Sequence, residues 1–512
     1  MKQFWRLITS RYFLCALVIL LELILLISLY WYACLKFAPL YIVATLLSIS
    51  VFLYVINHYE SPELKLPWLV IILAFGVVGA FLFLILTSNE HLRKTVREFD
   101  TSRARVAKLL PNNPAALEHI PQSDRDAHSQ AHYLTESGGF GASIGNQTTY
   151  FATGEDFWQA LLGDLEKAKK FILLEFFIVE PGEMWGAVAE ILRRKADEGV
   201  EIYFMYDDFG CMNRLPIGFE RSMRNIGVHT LVANQIQPVL SRAYNNRDHR
   251  KIVVVDNQIS YTGGANLADE YINKRERFGY WKDSAIRVDG PATASFTAMF
   301  LELWNAQSPV KLEEKTFFSA TPKPVAGNRG AVAIPYGDGP HAFYPEEIAK
   351  NVYLNLINSA RDYLYITTPY LICEYELMDA LALAAKKGVD VRIIVPHIPD
   401  KKIIFWMTQS NYAVLVRSGV KVYEYTPGFI HAKNFICDDK IATCGTVNLD
   451  YRSLVHHFEC GVWLYQDASI KDMKKDFLAT MQASAEISSG EAHLDVWQRL
   501  AAEILKIFSS LM

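Results

Sequence analysis

Two histidine–lysine pairs stand at matching places in the sequence and are its clearest candidates for chemistry. Each histidine is followed two residues later by a lysine and seven residues later by an aspartate. The six candidate catalytic residues are His249, Lys251 and Asp256 in the first copy and His431, Lys433 and Asp438 in the second. A single pattern of this kind carries little weight, whereas two copies with identical internal spacing indicate a duplicated site.

An asparagine follows each histidine at the same distance. Asn266 and Asn448 both stand seventeen residues after their histidine, and Gly263 and Gly445 stand fourteen residues after it. A glycine at this place lets the backbone approach a bound group closely. The two asparagines are therefore candidates for binding a substrate phosphate.

The segments that follow the two lysines are largely apolar and strand-like. They are Ile252–Val255 and Asn434–Cys437. Because residues i and i+2 of a strand point the same way, each histidine is expected to share a face with its lysine. If the two copies face each other, two imidazoles and two ammonium groups meet in one cleft.

Such a set of side chains suits a phosphodiester. The lysines and the asparagine amides can stabilise the non-bridging oxygens as negative charge builds in the transition state. One neutral imidazole can attack phosphorus and form a covalent intermediate. The other, when protonated, can give a proton to the leaving alkoxide and then act as base for the incoming hydroxyl. Lysine supplies the positive charge, so no metal and no cofactor is expected.

A catalytic histidine also needs a carboxylate that orients its second ring nitrogen. Asp256 and Asp438 are poor candidates, because an odd offset from the histidine directs them to the other face of a regular strand. We expect them to fix the turn at the strand end. Asp283 and Glu459 are better candidates, and they lie 34 and 28 residues past the histidine of their own copy.

The composition argues against two other classes of site. A net charge of −4 over 512 residues gives no broadly basic surface, so a nucleic-acid partner is not expected. The seven cysteines include no Cys-x-x-Cys pair. This argues against a zinc site and against a disulfide framework.

Beyond residue 150 the chain repeats an alternation of helix-like and strand-like segments. Glycine follows the end of the corresponding helix in both copies, at Gly199 and Gly388, where a left-handed cap is favoured. The alternation predicts an α/β fold, and a period of roughly 185 residues is too long for a solenoid and indicates a duplicated domain. The predicted organisation is an anchor over 1–90, a linker over 91–150, a first repeat over 151–315 and a second repeat over 316–512.

The predicted anchor contains three apolar stretches, at about 13–35, 37–56 and 66–86. Each reaches the ~20 residues that a helix needs to cross a bilayer. They predict two or three transmembrane helices in the cell membrane. The lysines and arginines between 93 and 108 outnumber those before the first stretch, which favours a cytoplasmic catalytic part.

The last segment, 497–511, carries apolar residues at helical spacing. A helix of this kind can lie in a membrane interface. It can equally pack on the protein core, and the sequence leaves both readings open.

In these motifs the sequence resembles the phospholipase D superfamily and, within it, the bacterial cardiolipin synthases. The segments that carry the resemblance are Asn246-Arg-Asp-His-Arg-Lys-Ile252, Thr262-Gly-Gly-Ala-Asn-Leu267, Trp281-Lys-Asp283, Thr368-Pro-Tyr370, Gly445-Thr-Val-Asn-Leu-Asp450 and Arg452-Ser453. The resemblance covers nearly the whole chain, including the hydrophobic N-terminal region. Two places depart from the family's pattern: Asp248 stands where asparagine is frequent, and His456-His457 stand where Leu-Asn is common.

The resemblance implies two α/β repeats packed around one pseudo-symmetric site. The reaction it implies is transfer of a phosphatidyl group between two phosphatidylglycerol molecules, giving cardiolipin and glycerol through a phosphohistidine intermediate. It also implies that His249 is the nucleophile and His431 the acid, although the near-symmetry of the copies leaves that order open. The implied partners are phospholipids and the membrane.

Alternatives stay open at this stage. A phospholipase D-type hydrolase would use the same residues with water as acceptor, and phosphatidylethanolamine could replace one lipid substrate. A non-catalytic membrane scaffold conflicts with two intact motifs. The sequence does not fix the oligomeric state.

Overall fold

A computed structural model describes most of the chain. The described residues are 11–36, 38–58, 61–87, 92–111, 115–236, 244–325, 330–488 and 494–511. The strands, numbered in chain order, are β1 Gln147–Phe151, β2 Phe171–Phe176, β3 Glu201–Asp207, β4 Val228–Ala233, β5 Ile252–Val255, β6 Ile259–Gly263, β7 Tyr280–Lys282, β8 Ala285–Asp289, β9 Val332–Asp338, β10 Tyr363–Thr367, β11 Leu371–Ile372, β12 Asp390–Pro396, β13 Lys421–Tyr425, β14 Gly428–Ile430, β15 Asn434–Cys437, β16 Ile441–Gly445, β17 Leu449–Asp450, β18 Glu459–Tyr465 and β19 Ser484–Glu486.

Helices separate most of these strands. The α-helices are Arg11–Lys36, Ala38–Asn57, Pro62–Phe75, Val77–Thr87, Arg93–Ala107, Ala115–Glu118, Arg125–Gly138, Gly154–Leu165, Glu183–Asp197, Asp208–Cys211, Phe219–Asn225, Thr293–Gln307, Glu314–Phe317, Ile348–Ser359, Tyr375–Lys386, Lys402–Arg417, Ser469–Gln482 and Val496–Ile507. Single turns of other helix types occur at Asp269–Ile272, Arg452–His456 and Ser509–Leu511.

Two large sheets share one strand order, and helices alternate with their strands, in agreement with the predicted α/β fold. The first sheet runs β1-β8-β6-β5-β2-β3-β4, and the second runs β9-β18-β16-β15-β10-β12-β13-β19. The first seven strands of the two sheets correspond one to one, and among the described residues β19 of the second sheet has no counterpart in the first. The strands β2, β3 and β4 pair in parallel, as do β10, β12 and β13, while the motif strands β5 and β15 pair antiparallel to their neighbours. The motif strands have the bounds that the sequence predicts.

The two sheets pack against each other through an apolar core that both repeats supply. Its buried side chains include Leu173 and Val254 from the first sheet and Ile436 and Val462 from the second. The helix Thr293–Gln307 lies in the same core and is buried along nearly its whole length. Burial of apolar surface from both repeats holds the two motif strands in a fixed relation.

The region predicted as a linker, 91–150, is folded in its described part. It contains two longer helices, Arg93–Ala107 and Arg125–Gly138, and the first strand of the sheet begins at Gln147. Phe99 and Val106 are fully buried in the core between the repeats. Both helices are amphipathic, with buried residues along one side and exposed residues along the other. Residues 91 and 112–114 lie outside the described part.

The prediction of transmembrane helices in the N-terminal region is wrong. Among the residues that the structure describes, no helix combines the length and the apolarity that crossing a bilayer requires. The third predicted span divides into Pro62–Phe75 and Val77–Thr87, because Gly76 between them has φ 53°. Helices of 14 and 11 residues are shorter than a bilayer crossing of ~20 residues. The parts of the predicted anchor outside the described residues are 1–10, 37, 59–60 and 88–90.

Candidate active site

The two motif histidines each contact a buried carboxylate from the other repeat. Nδ1 of His249 lies 2.8 and 3.1 Å from the two carboxylate oxygens of Glu459. Nδ1 of His431 lies 2.8 Å from Oδ2 of Asp283. Sequence spacing related each carboxylate to the histidine of its own copy, whereas the contacts run across the interface between the copies. Both ring orientations therefore depend on how the repeats pack.

Backbone pairing between the repeats creates these contacts. The short strands β7 and β14 pair in parallel, and the amide of His431 donates to the carbonyl oxygen of Lys282 at 2.7 Å. At the equivalent place an isolated parallel bridge joins Asp248 to Phe458, and the amide of His249 donates to the carbonyl oxygen of Phe458 at 3.0 Å. In both cases the carboxylate is the next residue along the paired segment.

The residue after the motif glycine, which is Gly263 in the first copy and Gly445 in the second, differs between the copies for a steric reason. Thr446 in the second copy donates its hydroxyl to the carboxylate of Glu459. The equivalent residue in the first copy is Gly264, and a Cβ there would lie 2.0 Å from Oδ1 of Asp283 and 2.7 Å from the carbonyl oxygen of His431. The shorter aspartate fills the space that a side chain at position 264 would need.

The motif lysines lie behind the imidazoles. Lys251 and Lys433 are almost fully buried, and each donates its ammonium group to the carbonyl oxygen of the histidine two residues before it. Burial lowers the pKa of Lys251 to about 8, with the nearby carboxylates opposing the shift. Burial, with the charge of Lys251 acting in the same direction, lowers the pKa of Lys433 to about 7. The two lysines are thus close enough to influence each other, as a shared centre requires.

The two histidines differ electrostatically. Burial lowers the pKa of His249 well below its usual value, and the charges of Lys251 and Lys433 add to the effect. Burial also lowers the pKa of His431, to about 4, but the Asp283 carboxylate opposes this shift. A neutral imidazole is the form that can attack phosphorus. Because the Asp283 carboxylate counteracts the lowering of the pKa of His431, His431 is the easier of the two rings to protonate when an anionic substrate binds.

The candidate phosphate ligands have unequal surroundings. Asn266 is held on both sides, because its Oδ1 accepts from the amide of Ile178 and its Nδ2 donates to the hydroxyl of Tyr271. Asn448 donates from Nδ2 to Asp450 at 3.1 Å, and among the described residues its buried Oδ1 has no hydrogen-bond partner. Both side chains border the same cavity as the histidines. Their role in binding phosphate stays a prediction.

The motif aspartates lie away from the imidazoles. The carboxylate of Asp256 accepts hydrogen bonds from the amides of Lys169, Lys170 and Phe171, at 2.7 to 2.9 Å. Asp438 accepts from the equivalent three amides in the second copy, those of Arg361, Asp362 and Tyr363. Both aspartates have left-handed backbone, with φ 55° and 54°. These contacts join the turn after each motif strand to the start of its neighbouring strand.

A cavity of about 590 Å³ opens in front of the two histidines. Its volume lies in the range of ordinary ligand pockets. Residues of both repeats border it, and the C-terminal Ser509 contributes to one wall. Aromatic rings surround His431, with those of Tyr271, Trp281 and Phe429 centred 5.5 to 5.8 Å from the imidazole. The cationic side chains at its border are Arg214, Arg277, Lys401 and Arg452.

His457 also borders the cavity, and the sequence singled it out only as a departure from the family's pattern. Its ring is centred 5.4 Å from that of His249. His249, His457 and Glu459 place possible ligand atoms within 4.8 Å of one another, so the donor set could hold a divalent cation. The positive charges of Lys251 and Lys433 oppose a cation there. The structure therefore gives a metal less support than it gives an anionic substrate.

Comparison with known proteins gives concordant matches. Residues 353–481 match the family described as "Cardiolipin synthase, PLD-like domain". A cardiolipin synthase of Alkalihalophilus pseudofirmus is 32% identical over 445 residues, which is 86% of this chain and 87% of that protein. A cardiolipin synthase of Geobacillus kaustophilus is 31% identical over 457 residues, or 88% and 90% of the two chains.

A solved structure supports the fold. The phosphatidylserine synthase of Haemophilus influenzae superimposes with a TM-score of 0.58 at 15% sequence identity. The match covers 76% of this chain and all of that protein. At this identity the likeness concerns the arrangement of the two repeats alone.

Proposed function

The chain belongs to the cardiolipin synthase family of the phospholipase D superfamily, and we propose that it joins two phosphatidylglycerol molecules into cardiolipin and glycerol. The observation that carries the proposal is the pair of histidines in one cavity, each on a carboxylate of the opposite repeat. A two-step transfer needs two such groups, one to hold the phosphatidyl group and one to move the proton.

In the first step the neutral imidazole of His249 attacks phosphorus of the donor lipid through Nε2. A bond forms between Nε2 and phosphorus while the bond from phosphorus to the glycerol oxygen breaks. His431 gives its proton to that oxygen, and glycerol leaves. Because the pKa of His431 is about 4 in the free protein, the negative charge of the bound phosphodiester has to raise it before the ring can act as acid.

In the second step a hydroxyl of the second lipid attacks the phosphohistidine from the side of His431. His431 takes the hydroxyl proton as the new oxygen–phosphorus bond forms, and the bond to Nε2 of His249 breaks. Cardiolipin leaves and both histidines regain their starting forms. Lys251 and Lys433 lie behind the rings and stabilise the extra negative charge on phosphorus in both steps.

The same proposal places the protein at a membrane surface, because both of its substrates are lipids. Large apolar side chains are exposed on the N-terminal helices, among them Leu46 and Leu73. On the C-terminal helix Trp497 is 78% exposed, while Ala502 and Leu505 pack toward the core of the second repeat. An exposed apolar face beside a cavity suits contact with the interfacial region of a bilayer. Sedimentation with phosphatidylglycerol vesicles, compared for the wild type and Trp497→Ser, tests this contact.

The activity is tested by incubating the purified protein with phosphatidylglycerol in mixed micelles and following lipids and free glycerol. We expect a four-chain product and glycerol in equal amounts. Phosphatidic acid without the four-chain lipid would overturn the proposal and favour hydrolysis. Phosphatidylethanolamine replaces one of the two substrates in a parallel reaction, which distinguishes the lipid donors.

Variants of the two histidines test the mechanism. We expect His249→Ala and His431→Ala each to abolish turnover while leaving the melting temperature close to that of the wild type. In His431→Ala the phosphohistidine forms slowly and persists, whereas His249→Ala forms none. Near-normal turnover in either variant would contradict the two-histidine scheme.

A further inference from the structure

His457 is a third imidazole in the reaction centre. Its side chain is 7% exposed and borders the cavity in front of His249. Its ring is centred 5.4 Å from that of His249 and 6.4 Å from that of Phe177. The backbone amide of His457 donates to the carbonyl oxygen of Arg452 at 2.8 Å, which fixes where the side chain starts.

Within the part of the chain that the structure describes, neither Nδ1 nor Nε2 of His457 has a hydrogen-bond partner. The nearest carboxylate oxygen, Oε1 of Glu459, lies 3.7 Å from Nδ1, beyond hydrogen-bond distance. A buried polar group left unpaired costs about 1–3 kcal/mol. A bound group that offers an oxygen to this ring removes that cost.

The position that corresponds to His457 in the first repeat is occupied by Trp281, so His249 and His431 have different neighbours. Trp281 lies two residues before Asp283, as His457 lies two residues before Glu459. The ring of Trp281 packs beside His431 at 5.5 Å, but its Nε1 donates to the Asp283 carboxylate at 3.4 Å. The tryptophan thus uses its polar atom within the protein. The histidine in the same place borders the cavity and has no such partner within the described part of the chain.

We propose that His457 donates a hydrogen bond to a non-bridging oxygen of the phosphoryl group while that group is bound to His249. The inference rests on the proposed function, because it requires a phosphoryl group at Nε2 of His249. The ring of His457 packs beside that of His249, and in an in-line displacement the leaving and entering oxygens stand on the opposite side of phosphorus from Nε2 of His249. It therefore binds charge that is present in both steps and transfers no proton. No further bond forms or breaks.

The proposed hydrogen bond makes the surroundings of His249 and His431 functionally different. The first-copy histidine has a neutral donor beside it that can hold the transferred group, and the second-copy histidine has an indole whose N–H is already used. Burial keeps the pKa of His457 well below its usual value, with the charge of Arg452 acting in the same direction. The ring stays neutral near pH 7 and can offer one N–H as donor.

The test uses phosphatidylglycerol in which one non-bridging phosphate oxygen is replaced by sulfur, as separate Rp and Sp diastereomers. Sulfur accepts hydrogen bonds more weakly than oxygen. We expect the wild type to discriminate between the diastereomers and His457→Phe to discriminate less. With the all-oxygen substrate, His457→Phe should lower kcat/KM by about 10- to 100-fold, the usual effect of losing a hydrogen bond to a charged group.

Two further variants separate this role from a structural one. His457→Asn keeps an N–H donor, so we expect it to recover most of the lost kcat/KM and of the diastereomer preference. Trp281→Phe at the repeat-related position is the matched control, and we expect it to change the rate without changing the diastereomer preference.

The outcomes are separable. An active wild type whose diastereomer preference is the same in His457→Phe would overturn this inference alone. A wild type that releases no glycerol from phosphatidylglycerol would overturn both the inference and the proposed function. If His457→Phe does not fold, an unchanged preference in His457→Leu overturns the inference in the same way.

Discussion

Nδ1 of His249 lies 2.8 Å from a carboxylate oxygen of Glu459, a residue 210 positions further along the chain. The equivalent pair, His431 and Asp283, has the same distance between the corresponding atoms. Each repeat thus supplies one motif histidine and the carboxylate that contacts the motif histidine of its neighbour. For both motif histidines the carboxylate at hydrogen-bond distance comes from the opposite repeat.

Replacing either carboxyl group with an amide should reduce turnover strongly. We expect Glu459→Gln and Asp283→Asn to lower kcat by about a hundredfold or more, because the amide holds the ring less well and can select the wrong tautomer. The measurement is kcat together with the melting temperature of each variant. Thr446→Val is the matched control. It keeps the Glu459 carboxylate and removes the hydrogen bonds that the Thr446 hydroxyl makes to Glu459 and to the backbone of Cys460, so it should have a smaller effect on kcat. Equal kcat in the wild type and Glu459→Gln would refute the orienting role.

The motif aspartates should matter for stability more than for chemistry. Asp256→Asn replaces an oxygen that accepts backbone N–H groups with an amide donor. We expect a loss of about 1–3 kcal/mol in the free energy of unfolding, seen as a lower melting temperature, with kcat nearly unchanged below the transition. Asp438→Asn should behave alike. An Asp256→Asn protein with an unchanged melting temperature and no activity would contradict this assignment.

The pH dependence of catalysis should follow the motif lysines. The pKa of Lys433 is about 7 and that of Lys251 about 8 in the free protein, whereas an ordinary lysine titrates near ~10.4. Since kcat/KM reports the free enzyme, we expect it to fall as pH rises through about 7 to 9. The phosphodiester stays anionic throughout this range, and when it is bound its charge raises the pKa of both lysines. Since kcat reports the enzyme–substrate complex, it should fall only at higher pH. A kcat/KM profile that stays flat up to pH ~10 would contradict the shifted pKa values.

The lowered pKa values of the same two lysines also predict how the free energy of unfolding changes with pH. Between about pH 7 and 10 the unfolded chain binds more protons at these two positions than the folded chain does, because burial has lowered both folded-state pKa values. Their contribution to the free energy of unfolding therefore increases with pH over this window. Comparing the pH dependence of denaturant unfolding in the wild type and Lys433→Met isolates it, and the variant should show the weaker increase.

A methyl group at Gly264 should damage the site more than the fold. The added Cβ would lie 2.0 Å from Oδ1 of Asp283, so Gly264→Ala has to displace the carboxylate from His431. We expect kcat to fall by about tenfold or more, the effect of losing about one hydrogen bond to a charged group. Gly163→Ala, in a helix with open space around it, is the control and should leave kcat unchanged. Full activity in Gly264→Ala would show that the Asp283–His431 contact is not needed.

Much of this site could be predicted from local pattern. The motif strands Ile252–Val255 and Asn434–Cys437, the duplication and the two candidate carboxylates all follow from spacing and side-chain type, which are local properties of the chain. The linker and the transmembrane helices were predicted from polarity and apolarity alone. The mean polarity of a segment does not show which faces of its helices are buried. It also does not show that Gly76 divides the third apolar stretch.

The sequence by itself determined that two identical sets of histidine, lysine and asparagine exist, and that an acidic residue accompanies each set. Only the tertiary structure decided which carboxylate contacts which histidine. These contacts form where β7 pairs with β14 and where Asp248 forms a bridge with Phe458. The tertiary structure also decided that His457 borders the cavity and that its ring nitrogens have no hydrogen-bond partner among the described residues. Both results depend on contacts between residues far apart in the chain, which the packing of two sheets around a common apolar core brings together.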